Sequence, residues 1–159
     1  MENPLSMHRD YNRWILLAQT RDAIFKARWK ELSRYDISAR QAAVLVAIQA
    51  VGDKATPAEI SRWVFRKAHS ISELLSRIEK AGLVRKVKDL DRKNQVRVVL
   101  TEKGRETYHH QSTNTVSIRK IMSLLSEEDR QQLRSCLQVL RDKAVKELGI
   151  KYETPFLSS

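Results

Sequence analysis

The stretch from residue 56 to residue 101 constrains the fold most strongly, because helix start and stop signals occur there in a fixed order. Thr56 precedes Pro57 and stands three residues before Glu59, a pattern typical of the first turn of a helix. A second helix is predicted to end at Gly82. Its apolar residues recur at helical spacing and form one buried stripe: Ile71, Leu74, Leu75 and Ile78.

The residues after this second helix predict a basic two-stranded hairpin. Segments 83–88 and 96–100 are rich in β-branched side chains that partly alternate with Lys and Arg, and the polar turn 89–94 joins them. Residues 62–105 hold 13 Lys/Arg against 5 Asp/Glu, which is most of the net charge of +11. Two helices followed by a basic wing are typical of a winged helix-turn-helix, which places one helix in the major groove of double-stranded DNA.

Short motifs along this stretch carry a family resemblance. Arg77 to Val84 read R-x-E-x-x-G-L-V, Asp91 precedes Arg92 in the wing, and Leu100-Thr101 are followed by Gly104. With these motifs the chain resembles the MarR family of bacterial transcriptional regulators. It departs from the family in the wing tip 89–94, where the acidic-basic pair is displaced by one position, and at Ser76, where many relatives carry Asp.

The resemblance implies a mainly α fold with a small β-wing, in which a winged helix-turn-helix lobe is bracketed by N- and C-terminal dimerisation helices. It implies one MarR-type domain over 1–159, with the lobe at about 38–101, dimerisation helices at about 7–33 and 102–149, and a tail at 150–159. It also implies a cytoplasmic homodimer that binds a pseudo-palindromic operator. The resemblance further implies a repressor that a small aromatic or phenolic ligand releases from its operator.

Helical patterns outside the lobe agree with this layout. A first helix is predicted from Tyr11 to Leu32, and a second begins after Ser38, with Gln41 at the capping-box position. Residues 53–55 form an extended link that is a candidate third strand. A long helix is predicted from Thr101 towards residue 124 and a last one from 126 to 149, with Cys136 buried on its apolar stripe.

Candidate DNA contacts lie on the second helix of the lobe, on the turn before it and on the wing. Glu73 could accept from a cytosine amine or repel wrong sequences. Arg77 could contact DNA or tie the helix to the wing. Arg92 suits a narrow minor groove, because its guanidinium is planar and weakly hydrated. The full set is Arg66, Lys67, His69, Ser70, Ser72, Glu73, Ser76, Arg77, Lys88, Arg92, Lys93, Asn94 and Arg97.

Aromatic side chains near the ends of the long helices are candidates for an effector site, because a flat apolar ligand needs aromatic walls and a few polar groups. Core packing is the alternative explanation for each of them. The family places its ligands where the dimerisation helices meet the DNA-binding lobe, and the residues of this chain expected near that junction are Tyr11, Trp14, Trp29, Tyr35, Trp63, Phe65, Tyr108 and His109.

Other functional classes find little support in the sequence. No catalytic residues and no cofactor are predicted, since there is no Gly-rich phosphate loop or nucleophile motif. No metal site is predicted, because His109 and His110 lack the i, i+4 spacing of a ligand pair. No apolar run is long enough for a membrane span. A sequence-tolerant architectural DNA-binding protein and a protein-binding scaffold remain as alternatives, and the basic wing disfavours the second.

Overall fold

The computed structural model describes residues 4–88 and 95–151, with side chains from His8 onward. Its elements confirm the predicted fold class, which is mainly helical with a small antiparallel wing. They are α1 (Pro4–Leu32), α2 (Ala39–Val51), α3 (Pro57–Trp63), α4 (Ala68–Lys80), β1 (Val84–Lys88), β2 (Val96–Leu100), α5 (Glu102–Thr113), α6 (Val116–Met122) and α7 (Glu127–Glu147), with 3₁₀ turns at Ser33–Tyr35 and Gly52–Lys54.

Side-chain caps set the starts of α2 and α3, as the sequence predicts. The hydroxyl of Ser38 accepts a hydrogen bond from the backbone N–H of Gln41 at 3.2 Å. The side-chain oxygen of Gln41 accepts in return from the N–H of Ser38 at 2.8 Å, which completes a capping box. Thr56 caps α3 by accepting from the N–H of Glu59 at 3.2 Å. These bonds satisfy donors that the first turn of a helix leaves without partners.

The hydrophobic core lies in the lobe and is centred on α2. Leu45 and Ala47 of α2 are fully buried, and the apolar stripe of α4 packs into the same cluster. Leu32 at the end of α1 joins it, so the first helix is anchored to the lobe at its C-terminal end. Burial of these side chains is the main favourable contribution to the lobe's stability. Further members are Ile37, Val44, Ile48, Ile60, Ile71, Leu75, Ile78, Val98 and Leu100.

The wing is a two-stranded antiparallel sheet that pairs Val84 with Leu100 and Lys88 with Val96. The prediction of a third strand at 53–55 was wrong. Gly52, at a φ of 63°, turns the chain into a 3₁₀ turn at this point. Ala55 makes a backbone hydrogen bond to the sheet, where its carbonyl accepts from the N–H of Val98 at 2.8 Å.

Two predicted helices have different limits in the structure. The first begins at Pro4 rather than Tyr11, since proline suits the first helical position. The helix predicted from Thr101 towards residue 124 is broken after Thr113 into α5 and α6. The break lies against α1, whose side chains bind the backbone groups that the break exposes.

The arms of the molecule, α1 and α7, carry large apolar side chains that the lobe does not cover. Cys136 of α7 was predicted to be buried, but it is exposed in the single chain, because α7 packs little against the other described elements. No helix of the described residues is long and apolar enough to cross a membrane. The exposed apolar residues of α1 and α7 are Leu16, Leu17, Leu133, Leu137, Val139 and Leu140, with Leu148 at the end of α7. Val116 of α6 and Leu124 and Leu125 before α7 are exposed as well.

Candidate nucleic-acid interface and effector region

Helix α4 presents a continuous polar face to solvent. Its opposite face buries Ile71, Leu75 and Ile78 in the core, and this burial fixes the rotation of the helix. The candidate DNA contacts on the outer face are all exposed: His69, Ser70, Ser72, Glu73, Ser76 and Arg77. A helix held in this way presents small hydroxyls, a carboxylate and basic side chains together. Such a surface can form hydrogen bonds with the base edges in the major groove of DNA.

Two of the serines are already oriented by the helix. The hydroxyl of Ser72 donates to the carbonyl of Ala68, and that of Ser76 donates to the carbonyl of Ser72, each at 3.0 Å. Their oxygen lone pairs remain available to accept from a base amine. His69 Nε2 lies 3.4 Å from Glu73 Oε1, so these two side chains are paired on the outer face of α4.

The turn before α4 holds two exposed cations. Ser61 is buried at the end of α3, and its hydroxyl donates to the carbonyl of Arg66 at 2.5 Å. The N–H of Arg66 donates to the carbonyl of Ser61 at 3.0 Å, which closes the turn. Phe65 adopts a φ of 53° there, a left-handed conformation that is costly for a bulky residue. The turn displays the side chains of Arg66 and Lys67 beside the start of α4, as phosphate contacts require.

The two candidate DNA contacts on the described strands of the wing have different surroundings. Lys88 is exposed at the end of β1. Arg97 of β2 lies instead against the turn after α2, where its guanidinium donates to the carbonyl of Asp53 at 3.4 Å. The remaining candidates of the wing tip, Arg92, Lys93 and Asn94, lie outside the described residues.

An ion pair that the sequence analysis missed fixes the wing against α4. Lys86 Nζ lies 3.1 Å from Glu79 Oε2, and the N–H of Lys86 donates to Glu79 Oε1 at 3.3 Å. The pair spans the turn at Gly82, whose φ of 74° requires glycine. The sequence signal that could have predicted this pair is the opposite charge of Glu79 and Lys86 on the two sides of the turn at Gly82.

The eight aromatic candidates fall into separate groups in the single chain. Tyr11 and Trp14 are exposed and lie 5.6 Å apart between ring centroids. Trp29 is also exposed, but it is roughly 22 Å from Trp14 along the axis of α1. Trp63 and Tyr108 are half-buried against the core, which favours the packing explanation for these two. Phe65 is exposed at the turn before α4.

Aromatic rings also meet where α1, α2 and α5 come together. Tyr35 follows α1 and stacks on His110 of α5 with a centroid distance of 6.3 Å. His109 lies edge-on to Tyr108, 5.8 Å away. The junction of the lobe and the arms therefore carries Tyr35, Tyr108 and His109 of the predicted set, together with His110, which was considered only as a metal ligand.

A partly buried ion pair at the same junction joins α1 to the break between α5 and α6. Arg28 donates to Glu31 at 2.7 Å and to the backbone carbonyls of Asn114, at 2.7 Å, and Gln111. Burial by itself would raise the pKa of Glu31. Hydrogen bonds from Ser117 and Arg28 and the charge of Arg28 outweigh that effect and lower the pKa from 4.5 to about 2.

Metal binding has no visible basis in the parts of the chain that the structure covers, since no group of three or more His, Cys, Asp and Glu side chains there could hold an ion.

Comparison with known proteins agrees with this geometry. Residues 37–104 match the family model described as a winged helix DNA-binding domain. The organohalide-sensing transcriptional regulator RdhR, solved with 2,4-dichlorophenol, is 28% identical with a TM-score of 0.81, over 100% of this chain and 96% of that chain. The ligand-free form of that regulator is 27% identical with a TM-score of 0.82, over 100% of this chain and 96% of that chain. No curated protein matches the chain.

The fold is also that of MepR from S. aureus in complex with DNA. That structure is 21% identical with a TM-score of 0.71, over 81% of this chain and 96% of that chain. A mutant MarR from E. coli complexed with operator DNA is 20% identical, with a TM-score of 0.72 over 87% of this chain and 99% of that chain. Residues 37–104 therefore match a winged helix DNA-binding domain, and the chain as a whole has the fold of MarR and MepR. Its fold is that of a winged-helix DNA-binding transcriptional regulator.

The structure explains the closing L-T-x-x-G motif of this chain. Thr101 caps α5 by accepting from the N–H of Gly104 at 3.0 Å, and its own hydroxyl donates to the carbonyl of Gly82 at 2.5 Å. A Cβ added to Gly104 would overlap the carbonyl oxygen of Leu83. The motif therefore holds α5 directly against the base of the wing, and only glycine allows the backbones to approach so closely.

Proposed function

We propose that the protein is a homodimeric, sequence-specific DNA-binding repressor that a small aromatic or phenolic ligand releases from its operator. The observation that carries this proposal is the fixed polar face of α4 beside a basic wing, on a chain whose arms leave their apolar faces uncovered. The proposed lobe covers about 38–101, with dimerisation helices at about 7–33 and 102–149. The protein has no enzymatic role in this proposal and acts in the cytoplasm.

Dimerisation is supported by the amount of apolar surface on α1, α6 and α7. Monomeric soluble proteins rarely expose large contiguous apolar patches, and such patches usually mark an interface. A two-fold dimer would present two α4 helices to successive major grooves about one helical turn apart. The operator would then be pseudo-palindromic.

An aromatic effector is supported by the rings at the junction and by the relative RdhR, whose structure contains 2,4-dichlorophenol. CouR from Rhodococcus jostii, which has the same fold at 19% identity, was solved with p-coumaroyl-CoA. A ligand that binds better to a spacing of the α4 helices that does not fit DNA would shift the dimer to that state and release the operator.

The proposal is tested against its alternative, a sequence-tolerant architectural DNA-binding protein. A duplex selected from a random library is labelled and bound at fixed salt, and unlabelled random duplex is added as competitor. A regulator should require a large excess of random competitor, on the order of 10³-fold. Displacement by random DNA as easily as by the selected duplex would favour the architectural function.

A further inference from the structure

Gln111 of α5 carries a buried oxygen that lacks a hydrogen-bond donor. The residue is 3% exposed, and its side-chain amide nitrogen donates to the carbonyl of Ala42 in α2 at 3.2 Å. Its Oε1 atom is buried and accepts from none of the described residues. A buried acceptor without a donor is costly, so a molecule that supplies a donor at this point gains binding energy.

The orientation of this amide is fixed by its neighbours. Exchanging the oxygen and the nitrogen would place two acceptors, the side-chain oxygen of Gln111 and the carbonyl of Ala42, against each other. Arg28 holds the backbone carbonyl of the same residue from the side of α1. Oε1 is therefore a fixed acceptor at the seam of three helices.

Aromatic side chains lie at neighbouring positions of α5 and at the end of α1. Tyr108 lies one helical turn before Gln111 on the inner face of α5, and both pack towards the core. The neighbouring His110 stacks on Tyr35 at the end of α1. A ligand bound at this seam would touch the lobe through α2 and the arms through α1, so it could alter their relative orientation.

We propose that Gln111 Oε1 is the polar anchor of the effector site and accepts a hydrogen bond from the hydroxyl of an un-ionised phenol. This inference rests on the proposed aromatic effector and narrows its chemistry. An acceptor oxygen binds a donor, so a neutral hydroxyl is favoured. A phenolate or a carboxylate would place a negative oxygen against Oε1 and is excluded, which separates phenols from ionised aromatic acids.

Calorimetric titration of the full-length protein with a matched pair of probes tests the proposal. 2,4-Dichlorophenol and 2,4-dichlorotoluene have nearly the same shape, but only the phenol has a donor. We expect the wild type to prefer the phenol by about tenfold or more. In Gln111→Met, which keeps the length of the side chain, the preference should largely disappear, whereas Gln49→Met, at an exposed glutamine of α2, should retain it.

The quantity to compare between variants is the ratio of the affinity for the phenol to the affinity for the toluene. Apolar contacts that both probes make cancel in this ratio. An unchanged ratio in folded Gln111→Met, or equal affinities in the wild type, would overturn the assignment of Gln111 and leave the aromatic effector intact. Binding of neither probe to the wild type would overturn both proposals.

Wild-type protein supplies a second test that does not depend on a folded variant. Affinity for 2,4-dichlorophenol should fall about tenfold per pH unit above the pKa of the free phenol, because only the neutral form binds. Affinity that stays constant as the phenol ionises would overturn the inference.

Discussion

Arg28 and Glu31 form an ion pair on α1, with Nη1 and Oε2 2.7 Å apart, that caps both helices at the break between α5 and α6. Arg28 donates to the carbonyls of Gln111 and Asn114 at the end of α5. Glu31 accepts from the N–H of Val116 at 2.8 Å and from the hydroxyl of Ser117 at 2.6 Å at the start of α6. A cation at a helix C-terminus and an anion at an N-terminus both match the helix dipoles.

Glu31→Gln should lower the free energy of unfolding by roughly 1–3 kcal/mol at pH 7, because it removes a partly buried charge that Arg28 and Ser117 compensate. The pKa of Glu31 is lowered from 4.5 to about 2, so its ionised form stabilises the fold above pH 4.5 and loses this contribution as the pH falls towards 2. Urea denaturation should therefore show a difference between wild type and variant at pH 7 that shrinks as the solution is acidified towards pH 2.

Glu106→Gln provides the control for this prediction, since Glu106 is an exposed carboxyl on α5. It should change the unfolding free energy by less than about 0.5 kcal/mol. A loss in Glu31→Gln that is the same at pH 7 and near pH 2 would contradict the ionic role of the pair.

Gly104→Ala should destabilise the protein by about 2–3 kcal/mol, because the new Cβ would overlap the carbonyl oxygen of Leu83. That carbonyl accepts from the N–H of Thr101 at 3.1 Å, so it cannot move aside without weakening the start of α5. Thermal or urea denaturation measures the effect. Glu106→Ala, at an exposed position of the same helix, should be nearly neutral. Equal stabilities of the two variants would show that the backbone contact is not tight in solution.

Sequence signals were sufficient where the determinants are local. The caps at Ser38 and Thr56 and the apolar stripe of α4 each depend on residues within one or two turns, so the lobe was predictable. The break after Thr113 was not, because no Gly or Pro marks it and Arg28 and Glu31 bind it from more than 80 residues away. The exposure of Cys136 was missed for a similar reason. An apolar stripe predicts that a helix face packs against something, but it does not show whether the packing surface belongs to the same chain.

Helix α4 and the wing should contribute differently to DNA binding. Changing Ser72 to Ala and Glu73 to Gln should alter the preferred sequence, because these side chains are exposed on the outer face of α4. Changing Arg92 and Lys93 to Ala should weaken binding to all sequences and reduce the slope of log affinity against log salt by about two. Selection from a random library and salt titrations measure the two effects. A uniform loss on every sequence from both changes would argue against this division.

Leu140→Glu should dissociate the proposed dimer, because it places a charge on the apolar face of α7. Sedimentation should shift from about twice the chain mass of 18.5 kDa towards that mass. Ser135→Glu adds the same charge on the far side of the helix and should remain dimeric. Dissociation of both variants, or of neither, would show that this face does not form the interface.

The most direct test of the proposed function is the affinity for a selected operator duplex, measured by fluorescence anisotropy with and without saturating 2,4-dichlorophenol. We predict that the phenol raises the dissociation constant by about tenfold or more, since coupling between two sites is typically 1–3 kcal/mol. The same measurement with 2,4-dichlorotoluene should show a much smaller change. An operator affinity that is unchanged while calorimetry shows the phenol to be bound would contradict the account of a ligand-released repressor.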